Sequence, residues 1–119
     1  MPIKNTWCLA CAAVLVLQIF SLGALPFELT EPGNTVWHLL AYAGLAVLLW
    51  IATDGRRPLA LLVGIMALAL ADELRQSLVP GRAAQVLDFF FDAVAACAAG
   101  MVLYWKTGAK TSCAESSAR

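Results

Sequence analysis

Charge is scarce in this chain. Lysine, arginine, aspartate and glutamate make up only 13% of its 119 residues, about half the usual quarter. A soluble protein of this length needs more polar surface than that to cover its core, and 61% hydrophobic residues with a mean hydropathy of +0.78 rule that class out. Histidine occurs once. No nucleophile motif, phosphate loop or tight metal-ligand spacing is present, so neither a cofactor nor a metal is expected. The formal net charge is zero, which gives nucleic acid nothing to bind. Cys8 and Cys11 form a C-x-x-C without a second pair, while Cys97 lies among alanines and Cys113 near the end of the chain. They read as small apolar side chains, not as a disulfide framework or a zinc site.

What the chain does have is four apolar runs, at about 7–25, 36–53, 58–79 and 86–105. Each is close to the roughly 20 helical residues that cross a bilayer. Pro26, Pro32 and Gly33 close the first run, Asp54, Gly55 and Pro58 separate the second from the third, and Pro80 with Gly81 breaks the third from the fourth. Lipid accepts helices or closed barrels, and these runs lack strand alternation. The expectation is an all-α integral membrane bundle of four transmembrane helices, one domain over 1–106 with a flexible polar tail over 107–119. The first run is too long for a signal peptide and its small residues make a poor cleavage site, so it reads as a retained anchor.

Lys4, the Arg56-Arg57 pair, and Lys106 with Lys110 all fall at one end of such a bundle. The positive-inside rule puts that end, and both termini, in the cytoplasm. The segment with Glu28 and Glu31, and the Pro80–Arg82 turn, then face outward. Trp7, Trp37, Trp50 and Trp105 fall near the expected interfaces, as an aromatic belt would, and Phe89, Phe90 and Phe91 surround the outer end of the fourth run. That run also carries Ala96 and Gly100 in a small-x-x-x-small spacing. Such spacing favours close helix packing, either within the chain or in a homo-oligomer.

Half of the eight acidic residues gather in 72–92. Asp72 and Glu73 fall in the last turns of the third run, and Asp88 and Asp92 in the first turns of the fourth. His38 begins the second run, so all of them share the outer end. Carboxylates at the edge of hydrocarbon persist when they are paired, hydrated or used. Helical spacing puts Gln76 on the face of Asp72, Asp92 on that of Asp88, and Arg75 within reach of Asp72, with Glu73 about 100° around.

The segment Asn34-Thr35-Val36-Trp37-His38-Leu39-Leu40-Ala41-Tyr42, then Asp72-Glu73-Leu74-Arg75-Gln76 running into Val79-Pro80-Gly81-Arg82, then Asp88 and Asp92, resembles the VanZ-like family over about residues 34–100. The charged pair usual before the histidine is Asn34-Thr35 here, and alanine stands near Ala95 where a glycine is expected. The resemblance implies a small multispan protein of the cell inner (plasma) membrane. The family takes its name from an accessory of glycopeptide resistance, tied to reduced susceptibility to teicoplanin, and has no agreed biochemical activity. The positions carried over as a binding site are His38, Tyr42, Asp72, Glu73, Gln76, Pro80, Gly81, Arg82, Asp88 and Asp92, with Arg75 added from its spacing. The expected role is an accessory protein whose polar cluster engages a membrane lipid, a lipid-linked envelope precursor or a lipoglycopeptide. The alternatives are a membrane-embedded enzyme using His38 and the carboxylates on a lipid-linked substrate, a purely structural cluster, and a small four-span exporter. The exporter fits the length, but its carboxylates belong near the midplane and not at one end.

Overall fold

The computed structural model describes residues 3–23, 33–80 and 86–117. They form four helices, α1 (Ile3–Gly23), α2 (Gly33–Ala52), α3 (Pro58–Ser77) and α4 (Val86–Ser117), and no strand occurs among the described residues. α2 lies at the centre and packs against the other three, most extensively against α4, while the backbones of α1 and α4 are not adjacent. The core is built from small and medium side chains, including Ala12 and Ile19 of α1, Ala41, Tyr42 and Leu45 of α2, Ile65 and Ala69 of α3, and Ala96 of α4. Alanine at these positions lets the helix backbones approach closely, and the gain is dispersion contact. Ala96 thus packs within the chain.

Two of the helices, α2 over Thr35–Ala52 and α4 over Val86–Gly108, are long and apolar enough to cross a membrane, and the apolar stretch of α1 covers Asn5–Ser21. The outer faces are as apolar as the core. Leu40, Leu59, Val63, Leu87, Phe90 and Met101 all project outward, which water would penalise and lipid does not.

Each helix end has a local cause. Pro58 opens α3 at its first turn, where a missing N–H costs nothing. α3 stops at Ser77, because Pro80 can neither donate to the ladder nor leave the residue before it helical. Leu78 and Val79 close the end by donating to the carbonyls of Arg75 and Gln76. α4 departs from the expected boundary. It continues through Ser117, past the end of the apolar run at Trp105, since no proline interrupts the polar stretch. Thr107 Oγ1 bonds back to the carbonyls of Leu103 and Tyr104, at 3.0 Å each, across the junction.

The turn between α2 and α3 is built on two left-handed residues, Asp54 (φ 52°) and Gly55 (φ 64°). The Gly55 N–H donates to the carbonyl of Trp50 at 3.0 Å. The indole of Trp50 lies against Gly55 so closely that an added Cβ would sit 2.8 Å from the ring. Trp50 is therefore buried under the turn, and of the four tryptophans it is not a member of an interfacial belt. Asp54 also ties this end to α1, accepting from Asn5 Nδ2 at 3.2 Å.

Gly55→Ala is expected to lose about 1–3 kcal/mol of unfolding free energy through strain at the left-handed position, before any clash with Trp50 is counted. Gly100→Ala is expected to do the opposite. A Cβ there meets nothing within 4 Å, so the helix gains about 0.5–1 kcal/mol of propensity. Denaturation of both variants in mixed micelles checks the pair, and equal signs would contradict the geometry.

Candidate polar site at one end of the bundle

The alternation of helix directions brings the end of α1, the start of α2, the end of α3 and the start of α4 together. Here the chain places nearly all of its buried charge. His38, Asp72, Gln76, Asp88 and Asp92 are all buried, with Asp72 only 2% and Asp92 3% exposed. Polar groups buried this deeply persist only when partnered.

His38 and Asp92 link α2 to α4. Nδ1 of His38 lies 3.0 Å from Oδ1 and 3.1 Å from Oδ2 of Asp92, so one imidazole nitrogen bridges both carboxylate oxygens and joins α2 to α4. A carboxylate only accepts, so Nδ1–H is the donor and the ring orientation is fixed. Asp88 sits one turn before Asp92 on the same buried face, and its charge reaches His38.

On α3 the partners come from the same helix. Asp72 accepts from Arg75 Nη2 at 2.8 Å and from Gln76 Nε2 at 2.8 Å, one to each oxygen. The i, i+3 and i, i+4 spacings read from the sequence are both in use. Asp72 thereby aims the Arg75 guanidinium, whose Cζ lies 4.9 Å from the centroid of the Phe20 ring. That cation–π contact joins α3 to α1. Phe20 was not foreseen, because one phenylalanine in an apolar run carries no sign that an arginine will cover it.

Tyr42 lies one turn below His38, with the two rings parallel (5° apart) at a centroid distance of 6.3 Å. It is completely buried, and its hydroxyl has no hydrogen-bond partner. That hydroxyl lies in the field of Asp72, Asp92, Glu73 and Arg75. A buried phenol normally finds a partner.

Of the residues expected at the site, the structure gathers His38, Tyr42, Asp72, Arg75, Gln76, Asp88 and Asp92, with Glu73 half-buried beside them. Pro80 is exposed in the turn after α3. Gly81 and Arg82 lie outside the described residues, as do Glu28 and Glu31. No group of three metal-ligating side chains occurs among the described residues.

Beside the cluster the surface is apolar. A groove of about 530 Å³ runs between α3 and α4, with Leu70 and Phe89 at the end near the cluster and Leu62 and Cys97 further along. A second apolar cavity of about 330 Å³ lies toward the opposite end, among Ala46, Trp50, Ile65, Gly100 and Tyr104.

Compared with known proteins, the chain matches the family model described as VanZ/LLP1 over residues 6–107. No curated protein and no solved structure matches it.

Proposed function

The chain belongs to the VanZ/LLP1 family and is a membrane protein, and from that premise we propose that it is an accessory binding protein of the cell envelope. In this reading all four helices span the inner membrane, both termini are cytoplasmic, and the polar cluster faces the extracytoplasmic side. There it engages the head group of a lipid-linked envelope component or a lipoglycopeptide, and so lowers susceptibility to teicoplanin-type antibiotics. The orientation draws its support from Lys4, Arg56, Arg57 and Lys106, which lie at the end away from the cluster.

One observation carries the binding role. Asp72 spends both oxygens on its own helix. It thereby holds Arg75, whose side chain stays partly exposed, in one orientation, which supports a recognition role. Susceptibility testing checks this. Glu73→Gln and Asp88→Asn are expected to remove the protection that the wild-type chain gives against teicoplanin while leaving folded yield in detergent intact. A joint fall of yield and protection would make the cluster a structural clasp.

A specific geometry favours a second reading, the membrane-embedded enzyme. Asp92 holding Nδ1 of His38 is the arrangement that orients an imidazole whose Nε2 acts as a base. Turnover of a lipid-linked substrate by the purified chain, lost in His38→Gln, would establish it.

A further inference from the structure

We propose that the apolar cavity of about 330 Å³ at the end away from the polar cluster holds an acyl chain of an anionic phospholipid, whose phosphate is met by Arg56 and Arg57 of the α2–α3 turn. The proposal is independent of what the cluster binds. Three observations carry it.

The first is the cavity itself, which α2, α3 and α4 wall together. Its floor is Ala46, Trp50, Ile65 and Ala96, all buried, while Leu59, Met101 and Tyr104 at its rim are 73%, 68% and 60% exposed. It therefore opens on the surface that meets the bilayer. Gly100 gives it depth, since a Cβ there would meet nothing within 4 Å. Left empty, the lining would forfeit dispersion contact, and a flexible hydrocarbon chain restores it.

The second is charge at its mouth. Arg57 directly precedes Pro58, which lines the cavity, and both Arg56 and Arg57 are exposed. Neither enters an ion pair among the described residues. The acid of this turn is Asp54, and its Oδ2 accepts from Asn5. The two arginines outweigh it, and α3 starts beside them without a side-chain cap, so its dipole adds to the same sign. A guanidinium offers phosphate a fork of donors. Lys106 lies at the same end, but two residues past Tyr104 it is about 200° around α4 and off the cavity face.

The third is a donor that lacks an acceptor. Trp50 is only 8% exposed, and its Nε1 lies against Gly55 in the turn, 3.0 Å from where a Cβ would sit. It makes no hydrogen bond among the described residues. A buried indole N–H normally finds a partner. The ester carbonyls that follow the phosphate along a lipid only accept, and Trp50 lines the cavity that would hold them.

A second copy of the chain is the competing occupant. Seated here about a two-fold axis, it would bring two Arg56-Arg57 pairs together at one depth, and like charges so placed repel. A phosphate neutralises them instead.

Native mass spectrometry of the full-length chain in detergent tests this, with phosphatidylglycerol and phosphatidylcholine of identical acyl chains, and with glycerol 3-phosphate as a chainless probe. Phosphatidylglycerol is expected to be retained roughly tenfold more tightly than phosphatidylcholine, the size of the net attraction at the turn. Glycerol 3-phosphate alone is expected not to be retained. The double variant Arg56→Gln, Arg57→Gln, changed only at exposed positions, is expected to abolish the preference, and Lys106→Gln to leave it intact. Gly100→Leu, whose side chain grows into open space in the cavity, is expected to weaken both lipids alike. Equal retention of the two lipids would overturn the proposal. Loss of the preference in Lys106→Gln as complete as in the arginine variant would overturn the site, leaving only a basic end. Undiminished retention in Gly100→Leu, or glycerol 3-phosphate held at the lipid's affinity, would overturn the role of the cavity. A dimer that Gly100→Leu dissolves would give the cavity to a second copy and overturn the lipid.

Discussion

His38→Ala is expected to lower unfolding free energy by about 3–5 kcal/mol, because it leaves the Asp92 carboxylate buried without the partner that holds both its oxygens. Asp92→Ala removes the charge itself and strands only a neutral imidazole nitrogen, so its cost is expected nearer 1–3 kcal/mol, roughly that of one unsatisfied buried polar group. The asymmetry is the informative part. A double-mutant cycle is expected to return a coupling of about 1–3 kcal/mol, because the two side chains touch directly and join α2 to α4. Steric trapping or denaturant titration in bicelles measures all three variants. A coupling near zero would mean that the contact does not hold the two helices together.

The second large effect is expected at Asp72. Asp72→Ala releases Arg75 and Gln76 at once, at a site where the carboxylate is only 2% exposed. The loss is about 2–3 kcal/mol, with Arg75 limiting the damage by turning toward water through its partly exposed end. Asp72→Asn keeps an acceptor for Gln76 and loses only the charge that aims Arg75, so it is expected to cost roughly half as much in stability. Its effect on ligand retention at the cluster should nevertheless match that of the alanine variant, since both free the guanidinium from its place above Phe20. If Asp72→Asn keeps full retention, the orientation of Arg75 is not what the site uses.

These two positions mark how far the sequence could be read. The helices were legible because each apolar run is punctuated by residues whose backbone chemistry stops a helix, and Pro58 and Pro80 fall where α3 begins and shortly after it ends. Asp72, Arg75 and Gln76 were legible as a set because contacts at three and four residues follow from helix geometry alone. The pairing of His38 with Asp92 was not, since it joins residues 54 apart in sequence and depends on how α2 rotates against α4. Hydropathy fixed their common end of the bundle and left their facing open. Trp50 misled for a related reason. An indole at the end of an apolar run is the mark of an interface, and only the left-handed turn at Asp54 and Gly55 reveals that it folds inward. The helical extension of α4 to Ser117 was hidden by composition, because polar residues without a proline are compatible with both coil and helix.

Everything proposed for the cluster depends on the side of the membrane it faces. The most direct test labels a single cysteine in a chain whose four native cysteines are replaced by alanine. Ser77→Cys places it at the exposed end of α3, beside the cluster, and Lys106→Cys places it on α4 toward the other end. A membrane-impermeant maleimide added to intact cells, or to spheroplasts where an outer membrane intervenes, is expected to label Ser77→Cys fully and Lys106→Cys only after lysis. The reverse pattern would turn the cluster toward the cytoplasm, where no outer-leaflet lipid or lipoglycopeptide could reach it, and would contradict the account.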